Sequence, residues 1–152
     1  MGIMSTANGL LLDANAWLAL VVEGHPHHPA MNLYWKRLSP HTQRLFCRVT
    51  QMSFLRLLCN KQVMGESRLT MIRAWGVFDE LMSAENTLLI DEIDGDHHES
   101  EWRKLTQTKA SSGSAWTDAY LAAFAATGNF SILTFDQGFR KYSSINTIIL
   151  NG

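Results

Sequence analysis

The sequence predicts an α/β domain built around a central, mainly parallel sheet of four or five short strands. Three observations carry this reading. The runs at residues 10–13 and 130–134 are almost uniformly apolar, without the alternation of a half-exposed sheet, as expected for strands covered on both faces. Such runs alternate with segments whose apolar residues recur at helical spacing. Glycine, proline and serine mark most of the junctions.

The elements follow in order. Residues 10–13 form a short buried strand, and a helix over 14–22 is stopped by Gly24 and Pro26. Pro29 suits the first turn of a second helix running through Met31, Tyr34 and Leu38. Ser39-Pro40-His41 is a turn, and residues 44–49 read as the second strand. Thr50 is a natural N-cap for a helix through Leu58, with Phe54, Leu55, Leu57 and Leu58 inward. Ser67 is expected to cap the next helix, where Met71, Trp75, Phe78, Leu81 and Met82 recur at helical spacing. Residues 87–90 are a third strand candidate, and 91–99 an acidic, His-containing loop before a helix around Trp102 and Leu105. A polar loop at 109–114 precedes a helix that ends at Gly128. Residues 130–134 and 146–150 complete the strands.

At 152 residues the chain is expected to be one domain over 10–152, led by residues 1–9 as a flexible or added N-terminus. A chain of this size buries about two-thirds of its unfolded surface. A hydrophobic content of 46% with 18% charged residues is ordinary for a soluble globular protein. The net charge of −1 excludes any argument for nucleic-acid binding from bulk charge. Lys36, Arg37, Arg44 and Arg48 form one local basic stretch, a solvated face by default and a possible RNA backbone contact. Cys47 and Cys59 match no zinc or CxxC spacing and fit a reducing cytosol. No signal peptide is recognisable, and no apolar run approaches the ~18 residues of a membrane span. A cytoplasmic, non-membrane protein is expected.

Asp118 is the residue that helix formation does not explain. It lies in Ala115-Trp116-Thr117-Asp118-Ala119-Tyr120-Leu121-Ala122-Ala123, an otherwise small and apolar helix. Burying an unpaired carboxylate costs several kcal/mol, about 5 or more, so a cation, a metal or a set of donors must compensate. Asp13 ends the run Leu10-Leu11-Leu12, and Asp136 follows Ile132-Leu133-Thr134-Phe135. In a parallel sheet both would lie at the carboxyl edge, where sites form. Each acid also has a structural explanation: Asp13 as a helix N-cap, Asp136 as a turn residue, Asp118 in a buried ion pair. Together, three acids suggest a hard divalent ion, which takes oxygen ligands and needs only one or two direct carboxylates.

These residues resemble a known family. Leu11-Leu12-Asp13-Ala14-Asn15-Ala16-Trp17, Thr117-Asp118-Ala119-Tyr120 and Leu133-Thr134-Phe135-Asp136-Gln137-Gly138 are similar to the three acidic motifs of PIN-domain ribonucleases. Their spacing of 105 and then 18 residues also suits that domain. The stretch from Val49 to Asn60 is similar to one branch of the VapC-type toxins of prokaryotic toxin–antitoxin modules.

The resemblance implies a PIN-like three-layer α/β/α fold and a cytoplasmic, Mg2+- or Mn2+-dependent endoribonuclease held inactive by a cognate antitoxin. It also implies a homodimer. Asp13 and Asp118 would be the principal metal ligands and catalytic acids, with Asp136 supporting the site directly or through water. Thr117 and Asn15 are candidate donors that fix carboxylate orientation.

One position departs from the pattern. Many PIN domains place a glutamate where this chain has Gln51. An amide can bind metal through its carbonyl or hold a water, but it brings no charge. A one-metal site, or an acid supplied from Asp91, Glu92, Asp94 or Asp96, is the expected consequence; the plainer reading of that loop is a solvated surface.

Other features carry less. His25, His27, His28, His97 and His98 pair with no cysteine at zinc spacing, though the first three suit a phosphate contact when protonated. Arg56, one turn beyond Gln51, is a candidate for substrate phosphate or for a structural ion pair. The five tryptophans fall on apolar helical faces, as core or oligomer interface. The main alternative to catalysis is a PIN-like RNA- or protein-binding module with too few acids for turnover. A weaker one is a phosphohydrolase with Asp13 as nucleophile; such enzymes usually need a second acid two residues on, where this chain has Asn15.

Overall fold

A computed structural model of the chain describes residues 9–91 and 93–151. The N-terminal lead-in, apart from Gly9, and Glu92 lie outside the described residues. Five strands, β1 (Leu10–Leu12), β2 (Arg44–Cys47), β3 (Thr87–Ile90), β4 (Ser131–Thr134) and β5 (Thr147–Ile149), form one sheet in the order β3-β2-β1-β4-β5. Every pairing is parallel, with Leu12 opposite Leu133 and Leu11 opposite Leu45.

Among the described residues seven α-helices connect and cover them: α1 (Ala14–Val21), α2 (His28–Arg37), α3 (Arg48–Leu58), α4 (Lys61–Met64), α5 (Met71–Met82), α6 (Gly95–Leu105) and α7 (Gly113–Gly128). Successive side chains of β1 feed opposite faces of the sheet, as a pleated strand requires. Leu10 and Leu12 join a core with Trp17, Met31, Phe46, Phe54 and Phe78 beneath α1, α2, α3 and α5. Leu11 joins Leu45, Ala122, Phe124, Ile132 and Phe139 beneath α6 and α7. The result is the expected three-layer α/β/α arrangement. Trp17 stacks face to face on Phe46, with ring centroids 4.0 Å apart and planes 4° from parallel.

The boundaries differ from expectation at five places. The second strand ends at Cys47, and α3 begins at Arg48 rather than after Thr50. Thr50 is not the N-cap; its hydroxyl reaches back from inside the helix to accept from the Cys47 N–H at 2.9 Å. A threonine near a helix start can satisfy a free amide from either side, and spacing alone does not say which. The cap of α5 is Thr70, accepting from Arg73 N–H at 3.3 Å, while Ser67 lies in a preceding 3-10 turn. Asn60 caps α4, an element too short to show periodicity, through bonds of 2.8 and 3.2 Å from Gln62 and Val63. Half of the acidic segment is the start of α6, with Asp94 as its cap. At the end of α7 the left-handed residue is Asn129 (φ 56°), not Gly128. Gly128 is needed for another reason, since a Cβ there would strike the Phe130 ring.

Among the described residues no helix is long and apolar enough to cross a membrane.

Candidate active site

The parallel register places two of the three acids side by side. Asp13 follows β1 and its backbone N–H still donates to Leu133 O at 2.9 Å; Asp136 lies two residues beyond β4. Both carry out the structural roles foreseen as alternatives. Asp13 caps α1, its Oδ1 accepting from Ala14 N–H at 2.8 Å. Asp136 caps a 3-10 turn, its Oδ1 accepting from Gly138 N–H at 2.8 Å. Neither role consumes all the lone pairs of a carboxylate, so capping and metal binding are compatible.

Thr134 joins the two acids. Its fully buried hydroxyl donates to Asp13 Oδ2 at 2.8 Å and accepts from the Asp136 N–H at 3.0 Å. One hydroxyl thus orients one carboxylate and fixes the backbone of the other. Thr134 was visible in the third motif as a strand residue, but its periodicity gives no hint of this bond.

Asp118 sits in the second turn of α7, half-buried and without an ion-pair partner among the described residues. The buried ion pair foreseen as an alternative is therefore not formed. Its carboxyl is pushed up to about 6, first by burial, then by the negative charges of Asp136 and Asp13, with Lys141 opposing. Burial also raises Asp13, against the pull of the Thr134 and Ala14 hydrogen bonds, and Asp136 raises it further. Tyr142 is raised by burial and by Asp118 and Asp136. The three acids therefore share one electrostatic neighbourhood, with Lys141 and Tyr142 at its border. Sequence reasoning missed these two, which sit in an irregular segment with no motif.

All the available donors are carboxylate oxygens, which suits a hard divalent ion. Mutual repulsion between Asp13, Asp118 and Asp136 is what such a cation would relieve. Among the described residues, however, no group of three or more His, Cys, Asp or Glu side chains converges closely enough to hold a metal ion. The fit is to an open site in which water completes the shell.

The remaining candidates are distributed as follows. Asn15 does not hold a carboxylate; its Oδ1 accepts from Phe135 N–H at 3.3 Å and ties α1 to the end of β4. Thr117 is exposed and forms no hydrogen bond to an acid among the described residues. Gln51 is buried in the second turn of α3, on the carboxyl side of β2. Its Oε1 accepts from Arg48 Nη1 at 3.0 Å. Because a guanidinium only donates, the carbonyl must face Arg48, and it is the amide nitrogen that remains free. The carbonyl expected as a possible metal ligand is thus already engaged.

The same guanidinium grips Asp91 with two bonds, 2.8 and 3.2 Å, and holds its carboxyl below the usual range. Asp91 and Asp94 are accounted for by this pair and by the α6 cap, and Asp96 is exposed in the first turn of α6. The expectation that one of them restores the missing acid is not met by these three. Arg56 lines a groove between α3 and α5 with Met52, Leu55, Met71 and Trp75 rather than meeting an acid. Five residues along a helix rotate a side chain by about 140°, which separates it from Gln51.

Among the described residues the histidines form no metal-ligating cluster. His28 Nδ1 lies 2.8 Å from Ala19 O and His98 Nε2 3.1 Å from Tyr120 O, so both nitrogens carry protons toward carbonyls. His27 stacks on Phe135 at 4.4 Å, beside the acidic edge. Of the tryptophans, Trp17 is core as expected, while Trp75 and Trp116 are about half exposed.

A family model described as the PIN domain matches residues 10–145. Ribonuclease VapC41 of Mycobacterium tuberculosis is 37% identical over 144 residues, covering 93% of this chain and 98% of that protein. Ribonuclease VapC31 of the same organism is 28% identical over 142 residues, covering 91% and 96%. Among solved structures, VapBC2 from Rickettsia felis bound to a promoter DNA fragment superposes with a TM-score of 0.68 at 12% identity, over 93% of this chain and 98% of that one. The Mycobacterium tuberculosis sarcin-ricin loop cleaving toxin VapC20 gives 0.65 at 18% identity, over 89% and 95%. At such identity the superpositions speak to the fold.

Proposed function

The chain belongs to the PIN-domain family as a toxin ribonuclease of the VapC type, and we propose that it cuts RNA phosphodiesters at Asp13, Asp118 and Asp136 with a divalent ion, Mg2+ or Mn2+. The observation that carries the site assignment is that Asp118, raised to about 6 first by burial and then by the charges of Asp136 and Asp13, shares its surroundings with both. Three carboxylates from distant parts of the chain, gathered at the carboxyl edge of a parallel sheet, are costly for the fold alone and useful to a cation.

When bound, a divalent ion supplies a Lewis acid for the phosphoryl oxygens and eases deprotonation of water. Asp13 and Asp118 are the residues that hold it. Thr134 keeps Asp13 Oδ2 aligned, and the Ala14 N–H holds Oδ1. Asp136, exposed and fixed by Gly138 N–H, is the acid that orients the attacking water. Asn15 acts one step back, holding the backbone of Phe135 between Thr134 and Asp136. Gln51 contributes no charge, so the site is a one-ion site. The nucleophile reading of Asp13 is disfavoured, because position 15, where such enzymes usually carry a second acid, is Asn15, which is turned to the Phe135 N–H.

A separately encoded antitoxin is the natural partner of a VapC-type toxin. A homodimer is also proposed, supported by the exposed apolar residues Met71 (77%), Ile72 (85%) and Trp75 (48%) on α5. A cytoplasmic location follows from the same family reading.

Purified protein incubated with total RNA, with and without Mg2+ or Mn2+, tests the function. Metal-dependent fragments that vanish for Asp118→Asn support it. Binding of RNA without cleavage at any metal concentration favours the non-catalytic binding module, to which the engaged Gln51 carbonyl lends some weight.

A further inference from the structure

Beside the acids lies a cleft of about 850 Å3 between the end of α6, the loop that follows it and the first turn of α7. Its walls include Lys104, Thr108, Ser112, Trp116, Lys141 and Tyr142, and no aspartate or glutamate lines it. Two of these residues reach the acidic edge. The charge of Lys141 acts on Asp118, and Tyr142 is raised by Asp118 and Asp136. Trp116 stands two residues before Asp118 on α7, a step of about 200° that aims the two side chains to different sides of the helix, so it is Lys141 and Tyr142 that join the cleft to the acids.

Trp116 is 57% exposed, yet it is held in place. Its ring meets Trp102 edge-on at 6.1 Å and 83°, and Trp102 Nε1 donates to Trp116 O at 3.0 Å. An edge-on contact uses the rim of one ring and leaves a π-face uncovered. Lys141 forms no salt bridge among the described residues and lies over the Tyr142 ring, 5.3 Å from its centroid; Lys104 is lightly held by Glu101 at 3.2 Å on the surface, a bond it can exchange. A rigid exposed aromatic, two lysines in weak, exchangeable contacts, hydroxyls and no acid in the lining are the features that suit a single strand of nucleic acid.

We propose that this cleft is the RNA-strand subsite next to the scissile phosphate, with a base stacked on Trp116 and a neighbouring phosphate on Lys141. It rests on the ribonuclease reading and adds to it the route by which a strand reaches Asp118. The charge pattern separates the strand from a protein partner: an exposed indole alone would suit either, but the lysines and the absence of acids in the lining suit a polyanion.

The test measures binding of a fluorescent, unstructured RNA oligonucleotide in EDTA, where no cleavage occurs, by anisotropy. Trp116→Leu keeps an apolar contact with Trp102 but has no π-face; Trp116→Phe restores one. Trp116→Leu is expected to weaken binding about tenfold or more, and Trp116→Phe to recover most of it. Lys141→Ala is expected to weaken binding and to flatten its salt dependence by about one phosphate contact. Thermal melts identify any variant that fails to fold, and the Phe variant then decides on its own by binding like the wild type. RNA affinity that is the same for Trp116→Leu and wild type overturns the subsite. So does loss of dimerisation or antitoxin binding with RNA affinity intact. Wild-type protein that cleaves RNA while Trp116→Leu binds normally removes only this inference. Wild-type protein that neither binds nor cleaves RNA removes the ribonuclease reading with it.

Discussion

Asp13 and Thr134 lie 121 positions apart, yet the Thr134 hydroxyl donates a 2.8 Å hydrogen bond to Asp13 Oδ2. The parallel pairing of β1 with β4 brings them together, and the same hydroxyl accepts from Asp136 N–H. Thr134→Val keeps the shape and removes the donor. Asp13 should then rise further, and Mn2+ affinity measured by calorimetry should fall about tenfold or more. Thr134→Ser, which restores the hydroxyl, should recover most of that loss.

Asp118 sets the pH dependence of the metal-free fold. Its carboxyl moves from 3.8 to about 6, so the folded state binds this proton more tightly than the unfolded chain does. The resulting stability is fully present below about pH 4 and is lost as the pH rises through about 6. Allowing for its half-exposure, the effect is about 1–2 kcal/mol. In EDTA at pH 8, Asp118→Asn should therefore melt about 2–6 °C higher than wild type, and at pH 4 the two should nearly coincide. A variant that melts lower at pH 8 would show that Asp118 is balanced by a partner rather than repelled.

Gln51→Glu returns a carboxylate to the edge of the site. Arg48 can pair with it as readily as with the amide, so the fold should be retained. Mn2+ should bind several-fold more tightly through the added negative charge. Unchanged affinity would place position 51 outside the field of the ion.

The apolar face of α5 gives a prediction about assembly. Ile72→Glu places a charge on the most exposed of its large apolar residues. Sedimentation of the wild type should give a dimer and of the variant a monomer, with melting temperature at high dilution unchanged. A wild-type monomer, or a variant dimer, would show that α5 is not the interface.

Much of this was legible in the sequence because parallel strands and acids at strand ends are local signals. The run Leu10-Leu11-Leu12 followed by Asp13 gives both a buried strand and its functional edge. The sheet order was not legible, since it depends on pairings such as Leu12 with Leu133 that no spacing records. Nor was the role of Thr134, because its bond exists only once β1 and β4 are adjacent. The sequence singles out Asn15 but not its partner: an amide two residues from an acid reaches whichever backbone group the fold supplies. Arg48 reads as part of a solvated face; still half exposed, it also holds Gln51 and Asp91, which follow the adjacent strands β2 and β3 at the same edge.

In the proposed site Asp13 and Asp118 hold a divalent ion and Asp136 supports it through water. Titration of the purified protein with Mn2+, followed by electron paramagnetic resonance of the free ion, tests it most directly. Wild type should bind one ion; Asp13→Asn and Asp118→Asn should each lose most of the affinity, and Asp136→Asn less. Wild-type affinity in Asp118→Asn, with its fold intact, would contradict the account.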